Sequence, residues 1–239
     1  MLALVTGASS GIGLQYATQL ARDYHTDLLL VSNQEEEQKK VAADLAAQYG
    51  VKTIALYADL SKQDAAEQLL QYCKDNHLVV DILINNAGVF YFNDLCKTAE
   101  ARINLMLHLH IRTVTQMCRL FGMDMRERGK GYILNMSSMS AWMTMPGIQC
   151  YNASKSYILN FSRSMWYEMK PHGVIVTAIC PGAVDTGLYG LADNLRKLAV
   201  ALHVSIPPKK LAQKALKKMF KGKKQYMPGT INHLFVPIM

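Results

Sequence analysis

Short hydrophobic runs recur along the chain, and stretches with helical spacing separate them. Leu2–Thr6 is an apolar run that predicts a strand, and Gly7–Gly13 reads as a turn. From there to about Asp23, Leu14, Ala17 and Leu20 fall on one face of a helix. Asp27–Ser32 is a continuous Leu/Val run, the pattern of a strand buried on both faces. Glu35–Tyr49, charged and Ala-rich, predicts a helix, Lys52–Ala58 a third strand, Lys62–Asn76 a helix and Leu78–Asn85 a fourth strand. A long helical region over Thr98–Arg128 reads as more than one helix. Gly131–Ser137 predicts a fifth strand, Tyr151–Lys170 a long helix and Val174–Cys180 a sixth strand, which Pro181-Gly182 ends. Strand and helix alternate with no Gly-, Ser- or Pro-rich boundary between them. The pattern predicts an α/β fold: a doubly wound parallel sheet flanked by helices, with all 239 residues in one domain.

Charge changes this picture only at the C-terminal end. The net charge is +8, but ten of the 26 basic residues lie from Arg196 onward, where there is no acid. The first 195 residues therefore hold 16 basic against 18 acidic side chains. Lys209–Phe220 reads as a basic amphipathic helix, with Leu211, Ala212, Ala215, Leu216, Met219 and Phe220 on one side. Two readings stand for it: a helix packed on the sheet with a solvated basic face, or a weak contact with an anionic membrane surface. No nucleic-acid-reading motif appears, and nucleic acid is not an expected partner. Five scattered cysteines without Cys-x-x-Cys argue against a disulfide framework or a metal site, and for a reducing, cytoplasmic setting. The N-terminus lacks a signal-peptide pattern, and no apolar run is long enough to span a bilayer.

Candidate chemistry begins at Gly7-Ala8-Ser9-Ser10-Gly11-Ile12-Gly13, between a strand and a helix. A turn there aims backbone N–H groups and a helix N-terminus at an anion, the basis of pyrophosphate binding; taken alone it is also a tight turn. Tyr151 and Lys155 are four residues apart, so on a helix they share one face. A free phenol has a pKa of about 10, and an adjacent ammonium favours its phenolate. This pair follows Asn135-Met136-Ser137-Ser138, at the end of a predicted strand.

These pieces, with Asn85-Asn86-Ala87-Gly88 and Cys180-Pro181-Gly182 followed by Thr186, resemble the classical short-chain dehydrogenase/reductase family over roughly residues 2 to 190. The resemblance implies a Rossmann-like sheet and an NAD(P)(H)-dependent oxidoreductase interconverting a carbonyl and a secondary alcohol. It makes Tyr151 the proton donor or acceptor, Lys155 its activator and a ligand of the nicotinamide ribose, and Ser138, rather than Ser137, the group that orients the substrate oxygen. It assigns Gly7, Ser9, Ser10, Gly11, Ile12, Gly13, Asn86, Ala87, Gly88, Pro181, Gly182, Val184 and Thr186 to the cofactor, and Asp59 with Leu60 to its adenine side. Asp59 is also a natural helix cap. No acid stands in Ser32-Asn33-Gln34 at the end of the second strand, and the family's usual phosphate-binding Arg is missing there. Asn33 and Ser9 are then the candidate phosphate donors, so NADP(H) is favoured and NAD(H) possible.

One departure concerns the family's relay Asn, whose place falls on His110. Either His110 takes over the relay or it is a helix-face histidine. The substrate walls implied by the resemblance are Met139–Met145 and a lid over 183–202, rich in Met and apolar groups; an apolar, lipid-, steroid- or aromatic-like substrate follows. The resemblance also implies a homodimer or homotetramer built on Thr98–Met123 and Tyr151–Lys170.

Overall fold

The structure is a computed structural model and describes residues 1–185 and 205–229. Among the described residues, seven parallel strands run in the order β3-β2-β1-β4-β5-β6-β9. They are β1 (Leu2–Thr6), β2 (Asp27–Ser32), β3 (Thr53–Tyr57), β4 (Ile82–Asn85), β5 (Gly131–Met136), β6 (Val174–Ile179) and β9 (Gln225–Tyr226). The helices are α1 (Gly11–Tyr24), α2 (Glu35–Tyr49), α3 (Ala65–Asp75), α4 (Glu100–Leu107), α5 (Val114–Glu127), α6 (Gln149–Met169) and α7 (Pro208–Phe220). A separate short ladder pairs β7 (Ala183–Val184) with β8 (Ser205–Ile206).

The strand order reverses between β1 and β4, so a crevice opens outside their carboxyl ends. The sheet divides the core in two. Val5, Leu28, Leu30 and Ile84 pack toward α1, α2 and α7, while Leu4, Leu29, Leu83 and Ile133 pack toward α3 and α5. Alternate strand residues therefore serve both layers, which is why these strands read as unbroken apolar runs.

Element boundaries move where local hydrogen bonds compete. α1 begins at Gly11, inside the stretch expected to be a turn. α3 begins at Ala65 rather than Lys62, because Asp59 and Ser61 close a turn first: Ser61 N–H and Oγ–H both donate to Asp59 Oδ1, at 3.0 and 2.6 Å. The long helical region is divided by a π-helical turn over His108–Thr113, a feature that amphipathic spacing alone does not announce.

α7 settles the two readings of the basic helix as far as its apolar stripe is concerned. Leu211, Ala212, Ala215, Leu216 and Met219 are fully buried against α1 and the sheet. Burial of each large side chain there stabilises the fold by roughly 1.5–3 kcal/mol. The stripe is spent on the fold, and the lysines take the solvent side. Among the described residues no helix is long and apolar enough to cross a membrane.

Candidate active site

At the switch point, β1 and β4 are stapled through two side chains. Thr6 Oγ1–H donates to the Ile84 carbonyl (3.2 Å) and accepts from the backbone N–H groups of Asn86 (2.9 Å) and Ala87 (3.0 Å). Asn86 Nδ2 donates back to the carbonyls of Thr6 (3.0 Å) and Gly7 (3.3 Å). The glycine loop is thus held by its carbonyls. Ser10 gives α1 no side-chain cap, so the first-turn N–H groups stay open where Ser10, Gly11 and Ile12 line the cleft. Gly7 sits at φ +63°, and Gly13 lies so close beneath it that a Cβ would stand 2.0 Å from the Gly7 oxygen. Gly13 itself does not reach the cleft wall; it lets α1 pack against β1.

The cleft has a volume of about 550 Å³. Ser138, Tyr151, Lys155 and His110 line it together with Gly7, Ser9, Asn33, Asp59, Leu60, Asn86, Ala87, Gly88, Pro181, Gly182 and Val184. Thr186 and most of the 183–202 lid lie outside the described residues. Spacing gave no reason to single out Gln34, Ser32, Ala58, Leu105, Leu109 or Met136, yet they share the same wall. For Gln34 and Ser32 a signal existed: Ser32 ends β2 and Gln34 follows two residues later, where cofactor discrimination is expected.

The two candidate serines are separated by where their protons go. Ser137 Oγ–H donates to the Lys155 carbonyl (2.8 Å), tying β5 to α6. Ser138 Oγ accepts from Ser140 N–H (3.1 Å), and its own proton has no acceptor among the described residues. Lys155 is buried, and its ammonium donates to the Met136 carbonyl (2.9 Å). Burial lowers its pKa from the usual lysine value to about 8. The ammonium lies 5.4 Å from the centre of the Tyr151 ring. That ring is buried in an apolar cluster with Val89, Phe90, Tyr91, Met106 and Ile148, and Phe90 meets it edge-on at 5.0 Å.

His110 sits in the π-helical turn, which carries its imidazole into the cleft. Val89 N–H donates to Nε2 (3.1 Å), so the neutral ring carries its hydrogen on Nδ1, and Nδ1–H donates to Ser154 Oγ (2.9 Å). Ser154 Oγ–H in turn donates to the Tyr151 carbonyl (2.8 Å). Both ring nitrogens are therefore engaged, and a relay through His110 requires one of these bonds to open. Burial, and then the charge of Lys155, hold the His110 pKa well below the ordinary value. Gly88 faces this ring: a Cβ there would stand 2.9 Å from Nε2. Asp59 caps no helix, because α3 starts at Ala65; it closes the turn at Ser61 and lines the cleft, and its hydrogen bonds from Ser61 lower its pKa.

The geometry agrees with what the chain is similar to. The short chain dehydrogenase family profile matches residues 1–194. A very-long-chain 3-oxoacyl-CoA reductase from Anas platyrhynchos is 35% identical over 192 residues, 77% of this chain and 60% of that protein. An inactive hydroxysteroid dehydrogenase-like protein 1 from Homo sapiens is 33% identical over 201 residues, 82% of this chain and 59% of that protein. The chain thus spans about three fifths of the length of these two relatives. Among solved structures, a short-chain dehydrogenase from Sphingobium yanoikuyae in complex with NADPH superposes with a TM-score of 0.86 at 28% identity, covering 96% of this chain and 88% of that one. Sequence, sheet order and cleft agree, and the chain belongs to the short-chain dehydrogenase/reductase family.

Proposed function

We propose that the chain reduces an apolar ketone, or oxidises the corresponding secondary alcohol, with NADP(H) favoured over NAD(H). The observation that carries this reading is one cleft holding Ser138, Tyr151 and Lys155 with an apolar cluster around the Tyr151 ring. The glycine loop, with its open first turn of α1, fits a dinucleotide pyrophosphate; Asn86, Ala87 and Gly88 flank it, and Lys155 serves the nicotinamide ribose. When bound, that cofactor supplies hydride-transfer chemistry. Tyr151 gives a proton to the carbonyl oxygen or takes it from the alcohol. Lys155, through its charge, favours the phenolate. Ser138 directs its hydroxyl proton at the substrate oxygen and fixes its position. Phe90, Tyr91 and Met106 exclude water around the phenol and favour a greasy chain or ring. The Anas platyrhynchos relative is named for a substrate of this kind, a very-long-chain 3-oxoacyl-CoA.

Single-turnover oxidation of NADPH and NADH against apolar ketones and 3-oxoacyl thioesters tests the reading. Tyr151→Phe is expected to reduce turnover by about 10²-fold or more. A second reading, a dinucleotide-binding sensor without turnover, draws on the human relative described as inactive. Cofactor binding with no turnover across the panel would select it.

The setting we propose is cytoplasmic, and the assembly a homodimer or homotetramer. Leu107, Met123 and Tyr157 are exposed on α4, α5 and α6, the helices expected to meet a second copy. A membrane contact through α7, whose stripe is already buried, would rest on its lysines and be weak and salt-sensitive. Sedimentation velocity with and without anionic vesicles reads both properties. We expect a species of at least twice the chain mass, and vesicle binding, where it occurs, that is lost in high salt. A monomer would overturn the assembly.

A further inference from the structure

Tyr151 lines a second, smaller hollow as well as the main cleft. The loop after β4 and α4 form one side of it, and residues 147–151 the other. The two sides are tied together. Asn93 N–H donates to the Gly147 carbonyl (2.9 Å), and the Phe92 ring covers Gly147 so closely that a Cβ there would stand 3.0 Å from it. The hollow has a volume of about 20 Å³, room for a group about the size of a water molecule. It is a notch for one end of a molecule rather than a pocket for a whole one.

Arg102 is the one charged side chain among the residues that line this notch. Its guanidinium lies over the Tyr91 ring, 5.1 Å from the centroid. The acids nearest to it in sequence are engaged elsewhere: Asp94 accepts from Cys96 N–H (2.8 Å), and Glu100 from Asn104 Nδ2 (3.5 Å). None of the described residues accepts a hydrogen bond from Arg102 or pairs with its charge. A guanidinium is always charged, and its five N–H donors suit a planar or tetrahedral anion. Here it stands exposed at the edge of the apolar cluster that Tyr91, Met106 and Ile148 build around the Tyr151 ring. Apolar walls next to the reacting phenol and one unpaired cation at their edge fit an amphipathic molecule.

We propose that Arg102 binds an anionic group of the substrate, so that the substrate is an apolar chain or ring system that carries a carboxylate or phosphate as well as the ketone. The proposal rests on the reading of Tyr151 as proton donor to a ketone, and it narrows the substrate from apolar compounds in general to anionic ones. The carboxylate of a free oxo acid and the phosphates of a thioester carrier share this chemistry. A charge-assisted pair at an exposed position favours the anionic substrate by about tenfold. The pair forms away from the reacting carbon and is equally good before and during the reaction, so it acts on KM rather than kcat.

Steady-state NADPH oxidation by the wild type and Arg102→Gln tests this, with oxo fatty acids of graded carbonyl position, their methyl esters and the matching coenzyme A thioesters. At the best carbonyl position the wild type is expected to favour an anionic substrate over its methyl ester by about tenfold in kcat/KM, less in high salt. Arg102→Gln should erase that advantage through a higher KM for the anionic substrate. A loss confined to the free acids assigns the anion to the substrate's own carboxylate, and a loss confined to the thioesters assigns it to the carrier's phosphates. NADPH binding, followed by fluorescence, reports that the variant is folded. A wild type without preference for either anionic form, or a preference that survives in Arg102→Gln, would overturn the role of Arg102 and leave the ketone reductase standing. No turnover of any of these compounds by the wild type would instead overturn the reductase reading itself.

Discussion

Lys155→Met is expected to lower turnover by at least about 10²-fold and to make the apo protein more stable at pH 7. The two effects have one cause. An ammonium held in a buried site is costly, and the fall of the Lys155 pKa to about 8 measures that cost. Relative to a lysine near 10.5 in the unfolded chain, the shift corresponds to about 3 kcal/mol of destabilisation wherever both forms are protonated. Methionine removes this term, and it also leaves the Met136 carbonyl without its donor, at a cost of about 1 kcal/mol. A net gain of roughly 2 kcal/mol follows, which raises Tm by about 4–8 °C in a domain of this size.

The sign of the pH dependence is fixed by the direction of the shift. Between about 8 and 10.5 the unfolded chain binds the proton that the folded chain has released, so the wild type gains stability as pH rises through this window. The advantage of Lys155→Met is therefore largest below pH 8 and fades toward pH 10.5. Thermal denaturation across this range checks it. A variant less stable than the wild type at pH 7 would show that the ammonium is not penalised by burial.

Gly13→Ala is expected to lower dinucleotide affinity by about tenfold or more and to destabilise the fold by about 1–3 kcal/mol. The new Cβ would stand 2.0 Å from the Gly7 oxygen and 2.6 Å from Asn86 Nδ2. Neither neighbour gives way cheaply: one is backbone, and the other is held by its bonds to the Thr6 and Gly7 carbonyls. α1 must move off β1, and the open N–H groups of its first turn move with it. Gly50→Ala is the control. Gly50 sits at φ +67° with nothing within 4 Å of a Cβ, so its substitution costs backbone strain alone, about 1–2 kcal/mol, with cofactor affinity unchanged. Equal affinity losses in the two variants, by fluorescence titration with NADPH, would remove the special role of Gly13.

His110 shows where sequence reasoning reached its limit. Its position opposite the family's relay Asn was readable from the spacing to Ser138. Its bonds to Val89 and Ser154 were not, because they join positions 21 and 44 residues away. The same holds for Asp59: the expected helix cap is instead a turn closed with Ser61, because α3 starts only at Ala65, and its place in the cleft wall depends on the sheet.

By itself the sequence determined the alternation of strands and helices through β6, the glycine loop and the Tyr151–Lys155 pair, because each is written in positions within one turn or one strand. Apolar runs buried on both faces and an i, i+4 pair are short-range patterns that need no partner to be recognised. Only the tertiary structure decided the rest: the two-residue β9 beside β6, the core partner of α7, the π-helical turn that carries His110 into the cleft and the hydrogen bonds from Ser9 to Ser32 and Gln34. β9 is too short to show a period, and the Ser9 bonds join a loop after β1 to the end of β2 and the residues just beyond it. Those features depend on backbone groups and hydroxyls that meet only after the sheet has formed, when each buried donor must find an acceptor.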